Sequence, residues 1–158
     1  MCCSMVGQSE TVSSNGIDVK SAGGSCKSNN IVYCVRCNLC SSYNRYVGKT
    51  VTPLHERMSQ HRSSFIALMK KLKRDRNHVN LLQLDDEQIL GAHLFFKHNK
   101  RTQHDFNTSY VVDILSHCNP CDIRITEQHF IDKLKTLTPY GLNQCNSIGD
   151  WFFSLHFP

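Results

Sequence analysis

Apolar positions follow two different periods along the chain. NIVYCVRC, residues 30–37, is β-branched and aromatic and reads as a strand, and RYVGK, residues 45–49, reads as a second, short strand ended by Gly48. CNLCSSYN turns between them, so the two form a hairpin whose connection is longer than a tight turn. From residue 52 the period becomes helical. Leu54, Met58, Phe65, Met69 and Leu72 make one buried stripe, with Thr52 as N-cap and Pro53 at the first helical position. Arg57 and His61 are four apart and share a face of that helix. DDEQILGAHLFFKHN predicts a second helix with an acidic start, TSYVVDILSHC a third strand, and TEQHFIDKLKTL a third helix capped by Thr126. Pro139 and Gly141 in TPYGLN then break the helical pattern. The order β-β-α-α-β-α predicts an α+β fold, a small three-stranded antiparallel sheet flanked by helices. Residues 1–29 are short, polar and without period and read as a disordered leader, residues 30–145 as the folded domain, and residues 146–158 as an apolar C-terminal tail of no assigned role.

Composition narrows the class. The chain has 158 residues, of which 40% are hydrophobic and 20% charged, enough for one domain with a real core. No apolar run approaches the ~20 residues of a membrane span. The opening MCCSMVGQSE lacks the basic and long apolar regions of a signal peptide, which points to a nuclear or cytoplasmic protein that is not secreted. The net charge of +5 leans toward polyanions. KKLKRDR, residues 70–76, concentrates it and reads as a solvated helix end, a phosphate-contacting patch or a nuclear-import signal. Nine cysteines in such a chain suggest metal ligands or free thiols rather than a disulfide framework.

Two groups of residues carry candidate chemistry. Cys37 and Cys40 have zinc-knuckle spacing, and His93 and His98 fall within the spacing used by Cys2His2 sites. Five residues on an ideal helix are ~140° apart, so the helix must end or bend for both imidazoles to reach one ion. His104 competes for one histidine place, and Cys118 and Cys121 would complete a four-cysteine site instead; buried free thiols need no metal at all. Cys34 lies in the apolar strand and reads as core. The second group is looser. Glu127 borders the apolar face made by Phe130, Ile131 and Leu134, where a carboxylate is costly unless it is paired or holds a cation, although a first-turn glutamate also suits the helix dipole.

Taken in order, the motifs resemble the GIY-YIG nuclease superfamily. Its two strand motifs stand here as Ile31-Val32-Tyr33 and Tyr46-Val47-Gly48, followed by Arg57 on the next helix, Glu127 on a late helix and Asn143 after a turn. YVGKTVTPLHERMSQHRSSF, LGAHLFFKHN, DFNTSY and LKTLTPYGLN look most like the endonuclease domain of Penelope-like retroelements, over residues 30–143. The resemblance implies a metal-dependent DNA endonuclease that nicks one strand. Glu127 would hold one Mg²⁺ or Mn²⁺, Tyr46 or Tyr33 would take the proton from water, and Lys49 and Arg57 would lower the tyrosine pKa. Arg57 would also clamp the scissile phosphate, His61 would relay a proton or touch the phosphate, and Asn143 would orient Glu127 or the phosphate. It also implies a structural Zn²⁺ on Cys37, Cys40, His93 and His98. The expected partner is DNA, with no membrane and with a reverse transcriptase domain supplied elsewhere. The competing expectation is a catalytically inactive, zinc-stapled nucleic-acid-binding module; a zinc-containing interaction domain without a nucleic-acid role is a third.

Overall fold

The computed structural model describes residues 3–40, 44–74, 84–138 and 140–144. The tail at 146–158 and the last two residues of the basic run lie outside them. Along the chain come β1 (Thr11–Ser14), β2 (Ile17–Lys20), β3 (Ile31–Cys37), β4 (Arg45–Thr50), α1 (Leu54–Arg74), α2 (Asp86–His98), α3 (Gln103–Ser109), β5 (Tyr110–His117) and α4 (Ile123–Leu134). β3, β4 and β5 form the expected three-stranded antiparallel sheet in the order β4-β3-β5, and β1 pairs with β2 in a separate hairpin.

β3 is an unbroken apolar run because both of its faces are covered. Ile31, Tyr33, Val35 and Cys37 point into one core with Leu54, Met58 and Phe65 of α1 and Leu90 and Leu94 of α2. Val32 and Cys34 point the other way, into a second core with Val12 and Val19 of the hairpin and Phe130, Ile131 and Leu134 of α4. Cys34 is therefore core, as its strand position suggests. The period of 2 in the strand thus divides the molecule into three layers: helices α1–α3, the sheet, and α4 with the hairpin.

α1 buries the stripe its sequence predicts, and His61 sits fully buried in the middle of it. Its start is one residue later than expected. Pro53 O accepts from the backbone N–H groups of Glu56 and Arg57, while the Thr52 hydroxyl is engaged with Thr50. α2 packs tightly on α1 through Gly91, where a Cβ would come within 2.9 Å of the Phe65 ring. Tyr110 fixes α2 from the sheet by donating its hydroxyl proton to Leu90 O at 2.6 Å.

Three expectations are corrected. Residues 1–29 are not a structureless leader. β1 and β2 join through Asn15 and Gly16, both at positive φ as a type I′ turn requires, and Val12 and Val19 are buried under α4. Ser14 Oγ and Asn15 Nδ2 donate to Leu134 O, which secures the hairpin to the end of that helix. Secondly, α3 occupies a stretch to which the pattern assigns no element and overlaps the expected third strand only at Thr108 and Ser109; it is started by Thr102, whose hydroxyl accepts from Asp105 N at 3.1 Å. Thirdly, α4 begins a turn before Thr126, whose hydroxyl donates to Asp122 O, so Glu127 lies in the second turn and not at the helix start. Among the described residues no helix is long and apolar enough to cross a membrane.

Candidate metal centre and active site

Cys37 ends β3 and Cys40 follows in the turn, while His93 lies inside α2 and His98 is its last residue. Their ligand atoms all lie within 4.8 Å of one another. Cys40 Sγ is 3.3 Å from His93 Nε2 and 3.1 Å from His98 Nε2, and Cys37 Sγ is 3.7 Å from His98 Nε2. A tetrahedral ion with Zn–S near 2.3 Å and Zn–N near 2.0–2.1 Å would separate sulfur from nitrogen by roughly 3.6 Å, so the spacing fits. The helix ends where the sequence required it to: Asn99 adopts φ 52° as C-cap, and His98 is free to turn toward His93, with ring centroids 5.0 Å apart. A hydrogen bond with Cys37 is the main cause that holds the Cys40 thiol down to about 3, and the same bond raises Cys37. Burial lowers His93, leaving a neutral imidazole, and its Nδ1 is a buried atom with no hydrogen-bond partner among the described residues. Two cysteine sulfurs and two imidazoles converge, and this soft set can hold a metal such as zinc.

The rivals fall away. Cys118 packs beside the second core, and Cys121 and His104 are exposed and outside the cluster. Cys34, Cys37, Cys40, Cys118 and Cys121 are free thiols, whereas Cys26, against the expectation for cysteines in this chain, is disulfide-bonded.

Tyr33, Tyr46, Arg57 and His61 meet on the same layer of the sheet, under the start of α2. Tyr33 lies opposite Gly48 in the β3–β4 pairing. A Cβ on Gly48 would approach the Tyr33 hydroxyl to 2.7 Å and the Tyr46 ring to 2.8 Å, which explains why the strand carries glycine there. The Tyr33 hydroxyl is 3.1 Å from His61 Nε2 and receives a 3.4 Å hydrogen bond from Arg57 Nε. His61 Nδ1 is 3.3 Å from Glu87 O, an acceptor only, so the proton sits on Nδ1 and Nε2 accepts from Tyr33. The Tyr46 ring meets His61 edge-on at 5.7 Å. Burial pushes Tyr33 up to about 12, with Arg57 pulling the other way, and raises Tyr46 well above its usual value. Burial also lowers His61 to about 4.

Glu127 approaches from the opposite layer, on α4. It is ion-paired with Lys49, at the end of edge strand β4. The two border an open cleft of about 770 Å³, together with Asp86, Arg124 and His129. The charges of Glu127 and Asp86 reach both tyrosines across the edge of the sheet and raise them further. Asn143 is not in this group. Its side-chain oxygen accepts from Val47 N and Thr136 Oγ1, at 2.8 and 2.7 Å, and its amide donates to Val47 O at 2.7 Å. Every polar atom of the side chain fastens the segment after α4 to β4, and none orients Glu127.

Two residues escape the sequence reading. Asp86 lines the cleft, and Glu87 pairs with Arg57 at 2.7 Å. Both lie in an acidic helix start that the helix dipole alone would explain; the signal that they face the layer of Tyr33 and His61 is their place beside Ile89 and Leu90 on a helix packed against α1. Comparison with protein-family models, with curated proteins and with solved structures finds no match.

Proposed function

We propose that the chain is a GIY-YIG-type, metal-dependent DNA endonuclease of retroelement origin that hydrolyses a phosphodiester in one strand. The observation that carries the reading is the hydrogen-bonded set Arg57–Tyr33–His61, buried against the central strand β3, together with Glu127, which borders an open cleft beside edge strand β4. These residue types supply a proton acceptor, a phosphate donor and a carboxylate ligand, and they occur in the order of the motif.

Glu127 already holds a positive charge, the Lys49 ammonium, in a cleft open to water, so a hard divalent cation such as Mg²⁺ or Mn²⁺ fits the carboxylate in that place. Such an ion supplies charge for the phosphate oxygens and acidifies water. Lys49 must then leave Glu127, and its ammonium becomes available to the phosphate. Tyr46 or Tyr33 would take the proton from water once ionised, and His61 Nε2, which accepts from the Tyr33 hydroxyl, would orient that hydroxyl. Burial above all, with the field of Glu127 and Asp86 added, keeps Tyr33 protonated, so it becomes a base only when nearby cationic charge offsets them. Arg57 offers Nη2, which has no hydrogen-bond partner among the described residues, to a non-bridging oxygen. Lys70, Lys71, Lys73 and Arg74, exposed at the end of α1, suit contacts with the DNA backbone. A 3′-hydroxyl left by the nick could prime a reverse transcriptase supplied elsewhere; only the motif order supports that role.

One observation favours the binding-module reading: Glu127 is ion-paired with Lys49, and every polar atom of the Asn143 side chain is bonded within the chain. Supercoiled plasmid incubated with and without Mg²⁺ separates the two. Open circles that form only with the metal support the nuclease; retarded but uncut plasmid in both conditions supports the binder.

A further inference from the structure

We propose that Glu87 is a positioning residue that aims Arg57 at the phosphate. The inference rests on the nuclease reading for its catalytic consequence, but not for its structural one.

Arg57 projects from α1 toward the sheet. A flexible arginine can adopt many rotamers, and each one excluded raises the fraction poised for phosphate. Here three contacts fix the guanidinium plane. Nε donates to the Tyr33 hydroxyl at 3.4 Å, and Nη1 donates to Gln60 Oε1 at 2.9 Å and to Glu87 Oε1 at 2.7 Å. Of the three, only Glu87 brings charge, and only Glu87 comes from another helix. The side chains of Arg57 and Glu87 are 19% and 44% exposed, so the pair is screened only in part and directional. Both Nη2 hydrogens remain free of partners among the described residues. The carboxylate therefore holds the arginine without covering the edge that a phosphate would use.

Glu87 is well placed for this. It lies in the first turn of α2, where a carboxylate is favoured by the helix dipole, and its own carbonyl faces His61 Nδ1 at 3.3 Å. One residue thus meets both Arg57 and His61, the first through its side chain and the second through its backbone. α2 cannot drift from them, because Gly91 is pressed against Phe65 of the same helix that carries Arg57 and His61. The other end of α2 bears His93 and His98, so the helix spans from the metal cluster to the arginine.

The test uses the full chain with Glu87→Gln, which keeps the shape and removes the charge. In wild-type protein the Arg57 Nη1–H group, which donates to Glu87, should give a resolved signal in ¹H–¹⁵N spectra at low temperature, and in Glu87→Gln it should move to the averaged position of a free arginine. An unmoved signal would overturn the proposal, and this readout does not depend on activity. In nicking assays, Glu87→Gln should lower kcat about tenfold or more with KM within about twofold, since misaimed groups act on the chemical step. In an Arg57→Ala background the same change should have no further effect. A second tenfold loss there would mean that Glu87 acts by another route and would sink the idea. If wild-type protein never nicks plasmid, the nuclease reading fails, and the arginine signal alone decides whether Glu87 positions Arg57.

Discussion

The two ends of α2 carry groups of opposite character. At its C-terminal end, Cys37, Cys40, His93 and His98 point at one another, and their ligand atoms lie within 4.8 Å with little else to satisfy them. At its N-terminal end, Arg57, His61 and Tyr33 are bound into a network, and Glu127 across the sheet edge is held by Lys49. The first is a closed set of four ligand residues that can hold one metal ion. The second is a network in which Arg57 is paired with Glu87 and Glu127 with Lys49. In the proposed reading, the closed soft-ligand set would serve folding and the open carboxylate beside a network of donors would serve chemistry.

The sharpest way to break this contrast is to remove the closed site. Cys40→Ser should lose the zinc measured by elemental analysis and lower the melting temperature by at least about 10 °C, since a structural site contributes a large share of a small domain's stability. Cys118→Ser should keep both; zinc loss in that variant would restore the four-cysteine alternative.

The buried histidine of the second site gives a smaller, pH-dependent effect. His61 is held down to about 4 in the fold, against 6.5 when unfolded. As pH falls below 6.5 the unfolded chain binds a proton that the folded chain refuses, so stability declines across that window by up to about 3 kcal/mol. Denaturant unfolding from pH 7 to 4 should therefore fall more steeply for wild type than for His61→Gln. Parallel curves would show that the imidazole is not held neutral.

Gly48→Ala separates packing from chemistry at the same place. The new methyl would meet the Tyr33 hydroxyl and the Tyr46 ring, costing about 1–3 kcal/mol and displacing both rings, while zinc content stays unchanged. A variant with wild-type stability would mean that the tyrosines can move aside.

Much of this is legible in the sequence because particular residues leave no choice. The apolar run at β3, the stripe of α1 and the Gly48 that parts two tyrosines each follow from local rules. The Cys-x-x-Cys and histidine spacings point to the ligands; what they do not contain, the end of α2 at His98, depends on the αL turn at Asn99. The hairpin is hidden by its length. Its strands have four residues each, and polar composition outweighs the signal that Asn15-Gly16 between Val12 and Ile17 offers for a tight turn. Burial under α4 makes it stable, and no local period carries that information. Asn143 fails differently: its position is right and its role is not, because the hydrogen bonds to Val47 connect residues 96 apart in sequence.

The smallest effect concerns the surface outside both sites. Changing Lys70, Lys71 and Lys73 to Ser should leave melting unaltered and make DNA affinity less salt-dependent, the log–log slope falling by about 0.9 for each phosphate that is no longer neutralised. An unchanged slope would reduce that run to a solvated helix end.

The nicking rate of Glu127→Gln beside wild type, in saturating Mg²⁺, decides whether the cleft beside Lys49 is an active site. The substitution removes one surface-facing ion pair, worth at most about 1 kcal/mol, so zinc content and melting should be nearly unchanged. Nicking should fall by about a thousandfold, as removal of a charge-stabilising group requires. A rate within tenfold of wild type would contradict this and take Glu127 out of the metal-binding role.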